Sequence, residues 1–129
     1  FKEKFDIYHA DTWRPYLNLK DLSSIVEKLI ENKKLSKNKH IFNTGFSEEN
    51  YTKRQIINSI SKLLPKNKNY KFVEKDHFDK RNYKVNFSKI SNLNIKKTIS
   101  LKNGILKILN FLKNKEKNSF KSKVFYNHK

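Results

Sequence analysis

Apolar side chains recur three, four and seven positions apart in three stretches of the chain, as they do in helices that bury one face. Asp21, Thr52 and Ser100 stand at the starts of these stretches and are the predicted N-caps. Thr52 and Gln55 also have the spacing of a capping box. The predicted helices cover residues 21–33, 52–64 and 100–112, with a shorter one over 88–93.

Shorter runs that alternate apolar and polar residues, or that are rich in aromatic and β-branched residues, predict strands. These runs cover residues 5–8, 14–19, 40–45, 70–74 and 82–87. Gly45 is expected to turn the chain sharply after the third run, and the polar loop that follows carries Glu48 and Glu49, which we expect to be solvated. Short strands mixed with three main helices predict a small α/β or α+β domain.

One domain is the expectation for 129 residues, and we place it over residues 1–112, followed by a lysine-rich tail over 113–129. The absence of cysteine excludes disulfides, cysteine-ligated zinc and thiol catalysis. No apolar run approaches the roughly 18 residues that a membrane span requires. The sequence therefore predicts a soluble cytoplasmic protein with no membrane partner. Its first residue, Phe1, leads us to expect a piece of a longer chain.

The net charge of +18 favours a polyanionic partner, because basic side chains that neutralise phosphates dominate nucleic-acid affinity. Base readout and bidentate phosphate binding, however, favour arginine for its planar group. Only three of the 30 basic residues are arginine, namely Arg14, Arg54 and Arg81. We therefore do not expect specific nucleic-acid binding, and we keep a lysine-rich polyanion or nucleic-acid binding module as the alternative function.

Several familiar kinds of site are missing from the sequence. Two glycines, Gly45 and Gly104, are too few and too far apart for a dinucleotide-binding loop or a P-loop. His9 with Asp11, and the acidic and histidine residues at 76–79, match no known metal-ligand spacing, and we interpret them as surface polarity. We therefore assign no catalytic residue, no cofactor and no metal to this chain.

Four blocks follow one another along the chain: WRPYLNLKDL, IFNTG with EENYTKRQII, DKRNYKVNFSKI, and SNLNIKKTISLKNGILKIL. In letters, order and spacing they resemble the C-terminal part of the extended short-chain dehydrogenases, the NAD(P)-dependent nucleotide-sugar epimerases and dehydratases. The resemblance covers roughly residues 5–112. Asn18 stands where that family commonly has histidine, Asn94 replaces its usual glycine, and Lys97 lies near its usual proline.

The resemblance implies a domain that closes over a nucleoside diphosphate sugar, while an N-terminal Rossmann domain, missing here, supplies NAD(P) and the catalytic residues. It implies that Arg14 holds the diphosphate and that Arg81 is a second phosphate ligand. By the same comparison, Asn50 faces the nucleotide, and Asp79 contacts ribose or orients Arg81. Tyr83 is expected to serve half as packing and half as a wall of the site.

The resemblance leaves the reaction open between epimerisation, dehydration and decarboxylation, and it does not name the nucleotide or the sugar. It also implies that the helix over 21–33 and the strand over 40–45 belong beside the missing Rossmann domain. Without that domain their apolar faces would be exposed, which predicts self-association as a homodimer or binding of a partner chain.

Overall fold

The computed structural model describes residues 4–35, 37–64, 69–74 and 81–115. Within these residues the chain forms short strands and four α-helices, which confirms the predicted mixed α/β class. The strands are β1 (Phe5–Tyr8), β2 (Trp13–Pro15), β3 (Asn50–Thr52) and β4 (Tyr70–Val73). The helices are α1 (Leu19–Glu31), α2 (Lys53–Leu63), α3 (Ser88–Ser91) and α4 (Leu101–Lys113), and single 3₁₀ turns cover Lys33–Leu35 and Ser47–Glu49.

The strands form two separate two-stranded sheets. β1 runs parallel to β4, and β2 runs antiparallel to β3, with Arg14 opposite Tyr51 and Pro15 opposite Asn50. β2 is shorter than the predicted strand over 14–19, because the chain leaves the ribbon after Pro15 and enters α1 at Leu19.

The predicted strand over 82–87 is wrong, although this segment does lie beside β2. The Trp13 amide donates to the side-chain oxygen of Asn82 at 2.8 Å, and the Tyr83 amide donates to the Trp13 carbonyl at 3.4 Å. A side chain therefore supplies one of the hydrogen bonds between this segment and β2, whereas in a regular sheet the backbone would supply all of them. The segment follows β2 without becoming its third strand.

Capping confirms two of the three predicted helix starts. The Thr52 hydroxyl accepts from the Gln55 amide at 3.2 Å, and the Gln55 side chain accepts from the Thr52 amide at 2.8 Å, which completes the capping box of α2. The Ser100 hydroxyl accepts from the Asn103 amide at 3.3 Å and caps α4. Asp21 is not the cap of α1; Asn18 holds that position and accepts from the Lys20 amide at 3.0 Å.

The central core forms where α1 meets α3 and the segment before it. Ile25, Phe87 and Ile90 are buried there, and partly buried Leu17, Leu29, Phe42, Phe46, Val85, Leu93 and Ile95 pack around them. Gly45 lies against the ring of Phe87, so closely that a Cβ on Gly45 would come within 2.6 Å of Cε1. The glycine therefore lets the backbone pass over an aromatic side chain of the core.

The predicted strand over 40–45 is also wrong, because residues 40–45 have no strand pairing and Ile41 is 84% exposed. Apolar side chains are exposed on two helices as well, including Val26 and Ile30 of α1 and Ile108 and Phe111 of α4. The exposed residues of α1 and Ile41 agree with the expected apolar surface, whereas the exposed face of α4 was not predicted. None of the helices in the described part of the chain is long and apolar enough to cross a membrane.

A candidate anion-binding site around Arg14

Arg14 is the middle residue of β2 and is half-buried. Its Nη1 atom donates to the carbonyl of the preceding Trp13 at 2.7 Å, which turns the head group back along the strand. The guanidinium carbon lies 5.4 Å from the ring centre of Tyr83. The structure thus brings together two of the residues that the sequence singled out, and it gives the arginine a fixed aromatic neighbour.

A second cation–aromatic pair lies next to the first. The Nζ atom of Lys84 is 3.7 Å from the ring centre of Trp13. Neighbouring residues of an extended segment point to opposite sides. Arg14 with Tyr83 and Trp13 with Lys84 therefore belong to opposite faces of the two adjacent segments. Such contacts contribute about 0.5–1 kcal/mol each at exposed sites and add to the hydrogen bonds that hold this segment beside β2.

Asn50 joins β3 to the same segment through its side chain. Its carboxamide oxygen accepts from the Val85 amide at 3.0 Å, while its nitrogen donates to the Val85 carbonyl at 3.1 Å and to the Ser47 carbonyl at 3.1 Å. A carboxamide has two N–H donors, and both are directed at the protein. Asn50 thus acts as a peptide-like bridge, and its predicted contact with the nucleotide stays a prediction.

Two further tyrosines lie beside Arg14 and were not predicted as site residues. Tyr51 stands opposite Arg14 in the β2–β3 register, and Tyr16 has its ring centre 6.3 Å from that of Tyr51. Burial raises the pKa of both phenols, and the nearby charge of Arg14 only partly opposes this for Tyr16. Both phenols are therefore neutral at pH 7 and can donate a hydrogen bond. The position of Tyr16, two residues after Arg14 in an alternating run, was the available signal.

An ionic cluster lies at the far side of Tyr51. Lys97 reaches Glu49 Oε1 at 2.5 Å and Glu48 Oε1 at 3.3 Å. The Glu49 side chain is only 7% exposed, so the expectation that it is solvated is wrong, whereas Glu48 is exposed as expected. Burial alone would lower the pKa of Lys97, but the hydrogen bonds to the two carboxylates outweigh it and raise the pKa. Lys97 therefore stays charged.

The remaining basic and acidic candidates are distributed as follows. Arg81 is exposed and lies two residues before Tyr83, and Asp79 lies outside the described residues. Arg54 binds Asp11 through two bonds of 2.7 Å, so this arginine belongs to a separate ion pair. No group of three or more histidine or acidic residues in the described ranges could hold a metal ion.

These elements form a fold that also occurs within the solved structure of an enzyme. The solved structure concerned is dTDP-glucose 4,6-dehydratase from Bacillus anthracis str. Ames, in complex with NAD. It matches with a TM-score of 0.64 and 22% sequence identity over 87% of this chain and 35% of that one. The chain thus spans about a third of that protein, and the likeness establishes the fold. No protein-family model and no curated protein matches the sequence.

Proposed function

We propose that this chain is the nucleotide-sugar-binding part of an NAD(P)-dependent sugar epimerase or dehydratase. The observation that carries the proposal is the shared fold, which covers 87% of this chain and occurs in a dTDP-glucose 4,6-dehydratase. The ordered sequence blocks support it independently. The partner is a nucleoside diphosphate sugar, and a Rossmann domain outside these residues supplies NAD(P).

Arg14 is the proposed diphosphate ligand. A guanidinium can donate two parallel hydrogen bonds to adjacent phosphate oxygens, which suits a diphosphate better than a point charge does. The bond to the Trp13 carbonyl and the ring of Tyr83 support the head group before a ligand arrives. Preorganisation of this kind lowers the entropy lost on binding. The half-buried side chains of Tyr16 and Tyr51 lie beside Arg14, and charge interactions are stronger at a partly buried site than in bulk water.

The other predicted residues have secondary parts in the proposal. Arg81 contacts a phosphate from the same segment as Tyr83, and Asp79 contacts ribose or orients Arg81. Tyr83 forms a wall of the site, and Asn50 fixes that segment against β3. In this scheme the chain binds and orients the sugar, while NAD(P) supplies the hydride chemistry when it is bound by its own domain.

Ligand-observed saturation-transfer NMR tests the proposal on this chain, with dTDP-, UDP-, CDP- and GDP-sugars as ligands and pyrophosphate as the reference for plain charge attraction. We expect stronger binding of one nucleotide sugar than of pyrophosphate. Arg14→Ala should weaken it roughly 10- to 100-fold, because a charge-assisted hydrogen bond contributes about 1.5–3 kcal/mol. Lys62→Ala removes an equal charge from the exposed end of α2 and is the matched control.

An Arg14→Ala affinity within twofold of the wild-type value would contradict the diphosphate role. The net charge of +18 favours one other function, a polyanion-binding module. That function requires equal losses for Arg14→Ala and Lys62→Ala, no preference among nucleotides, and an affinity that falls steeply with salt. The same titrations at two salt concentrations therefore separate the two functions.

A further inference from the structure

The ionic cluster of Lys97 with Glu48 and Glu49, which lie in the turn before β3, has no part in the proposed function. Lys97 is 22% exposed, contacts two carboxylates, and comes from the segment before α4. The resembled family usually has proline near this position, and proline cannot make such contacts. The cluster is therefore a feature of this chain in its own right.

Glu49 is connected to the candidate anion site by short steps. Its carbonyl accepts from the Tyr16 amide at 2.8 Å, and its carboxylate accepts from the Tyr51 hydroxyl at 3.5 Å. Tyr51 stands opposite Arg14, and side chains opposite each other in antiparallel strands have Cβ atoms about 4.5–5.5 Å apart. A buried negative charge is thus one side chain away from the proposed phosphate ligand.

We propose that Lys97 sets the anion affinity of this site by neutralising Glu49, so that Lys97 is a positioning and charge-compensating residue. In naming a diphosphate as the ligand, the inference rests on the proposed function. Lys97 contributes one positive charge against the negative charges of Glu48 and Glu49. Charge interactions are stronger at the lower effective dielectric of a partly buried site than in bulk water, so a change of one charge here acts on a phosphate bound at Arg14.

The inference predicts effects of opposite sign. Lys97→Met leaves two uncompensated carboxylates and should weaken pyrophosphate binding by about threefold to tenfold. Glu49→Gln removes one carboxylate, leaves Lys97 with Glu48, and should tighten binding by a similar factor. The double variant Glu49→Gln/Lys97→Met restores the local charge and should bind like the wild type. A purely structural role predicts no tightening in any variant.

Titration with pyrophosphate, followed through the NMR signal of the Arg14 Nε–H group, measures these effects at the site itself. The matched controls are Lys107→Met and Glu27→Gln, which change the same charges at exposed positions on α4 and α1. Equal shifts in controls and cluster variants would show that net charge alone acts, and would overturn the inference. An uncharged nucleoside is a second probe, and its affinity should not change in any variant.

If Lys97→Met does not fold, because it leaves Glu49 buried without its partner, the inference is tested with Glu49→Gln and the double variant alone. Pyrophosphate binding by Glu49→Gln that is equal to or weaker than that of the wild type overturns the inference. The proposed function is judged separately, from the wild-type preference for a nucleotide sugar over pyrophosphate. If the wild type prefers a nucleotide sugar but the variants do not follow the predicted order of pyrophosphate affinity, only charge compensation is refuted. If the variants follow that order but the wild type shows no preference for a nucleotide sugar, only the proposed function is refuted.

Discussion

Asp21 connects α1 to the segment that leads into α4, and its replacement should destabilise the fold. The residue is 2% exposed. Its Oδ1 atom accepts from the Thr98 amide at 2.8 Å and from the Thr98 hydroxyl at 2.5 Å, and its Oδ2 atom accepts from the Ile99 amide at 3.2 Å. Asp21→Asn keeps the shape but replaces one acceptor by a donor. If the new amide nitrogen occupies the Oδ2 position, it faces the Ile99 N–H, donor against donor.

The magnitude follows from the number of donors that lose a partner. Ile99 is buried, so its amide cannot turn to water, whereas Thr98 is exposed and can. One unsatisfied buried donor costs about 1–3 kcal/mol, and we expect Asp21→Asn to lower the free energy of unfolding by that amount. Asp21→Ala removes both acceptors and should cost about 2–4 kcal/mol, since a truncated side chain adds lost packing. Domains of this size are stable by about 5–15 kcal/mol in total.

Urea unfolding followed by circular dichroism measures these changes. The control is Glu27→Gln, a substitution at an exposed position of the same helix, whose free energy of unfolding should lie within about 0.5 kcal/mol of the wild-type value.

Burial would raise the pKa of Asp21, but the bonds from Thr98 and Ile99 outweigh it and lower the pKa. The stabilisation is therefore complete above the unfolded pKa of about 3.9 and is lost as pH falls towards the lower folded pKa. The reasoning would be refuted if Asp21→Asn lowered the free energy of unfolding no more than Glu27→Gln does. It would also be refuted if the difference in this free energy between wild type and Asp21→Asn grew below about pH 4.

Two further substitutions test the packing and the capping. Gly45→Ala would place a Cβ 2.6 Å from Phe87 Cε1, and we expect a loss of about 1–3 kcal/mol in the free energy of unfolding by urea, as overpacking of a core usually gives. Unchanged stability would mean that the Phe87 ring moves aside freely. Thr52→Ala removes the acceptor for the Gln55 amide and should cost about 1 kcal/mol by the same measurement. Thr52→Ser keeps the hydroxyl, and a loss as large as that of Thr52→Ala would contradict a capping role.

The helices could be predicted because their information is local. Apolar spacing identifies α1, α2 and α4. The cap Thr52 is recognised from Gln55 three positions later, and the cap Ser100 from its place directly before an apolar periodic run. The prediction that Asp21 caps α1 is wrong for the opposite reason. A carboxylate near a helix start fits a cap locally, but its partners, Thr98 and Ile99, lie 77 and 78 residues away along the chain. No local pattern contains that pairing.

The strands show how far composition can mislead. Residues 82–87 have strand-like composition, and they do run beside β2. Asn82 and Asn50 replace part of the backbone ladder with side-chain bonds, so the pairing depends on amides that look like ordinary polar surface in the sequence. Residues 40–45 resemble a buried strand equally well, yet no neighbouring strand in the described ranges pairs with them.

Burial of charge is the part of the candidate site that the sequence could not supply. Arg14 and Tyr83 were singled out from the chain and lie together, but Glu49 reads as one residue of a polar loop. Its burial depends on Lys97, 48 residues later, at a position where the resembled family usually has proline. An ion pair between two such distant residues leaves no spacing to recognise.

Net charge and local charge therefore have to be argued separately in this chain. The excess of +18 comes mostly from lysines spread along the sequence, and exposed charges act over a Debye length of only about 10 Å at 0.1 M salt. Lys97 adds to that sum, yet at the site it mainly offsets Glu49. Arg54 likewise lies against Asp11. A count of basic residues thus overstates the positive charge close to Arg14, and under the proposal made above the anion affinity of the candidate site depends on how the buried Glu49 is compensated.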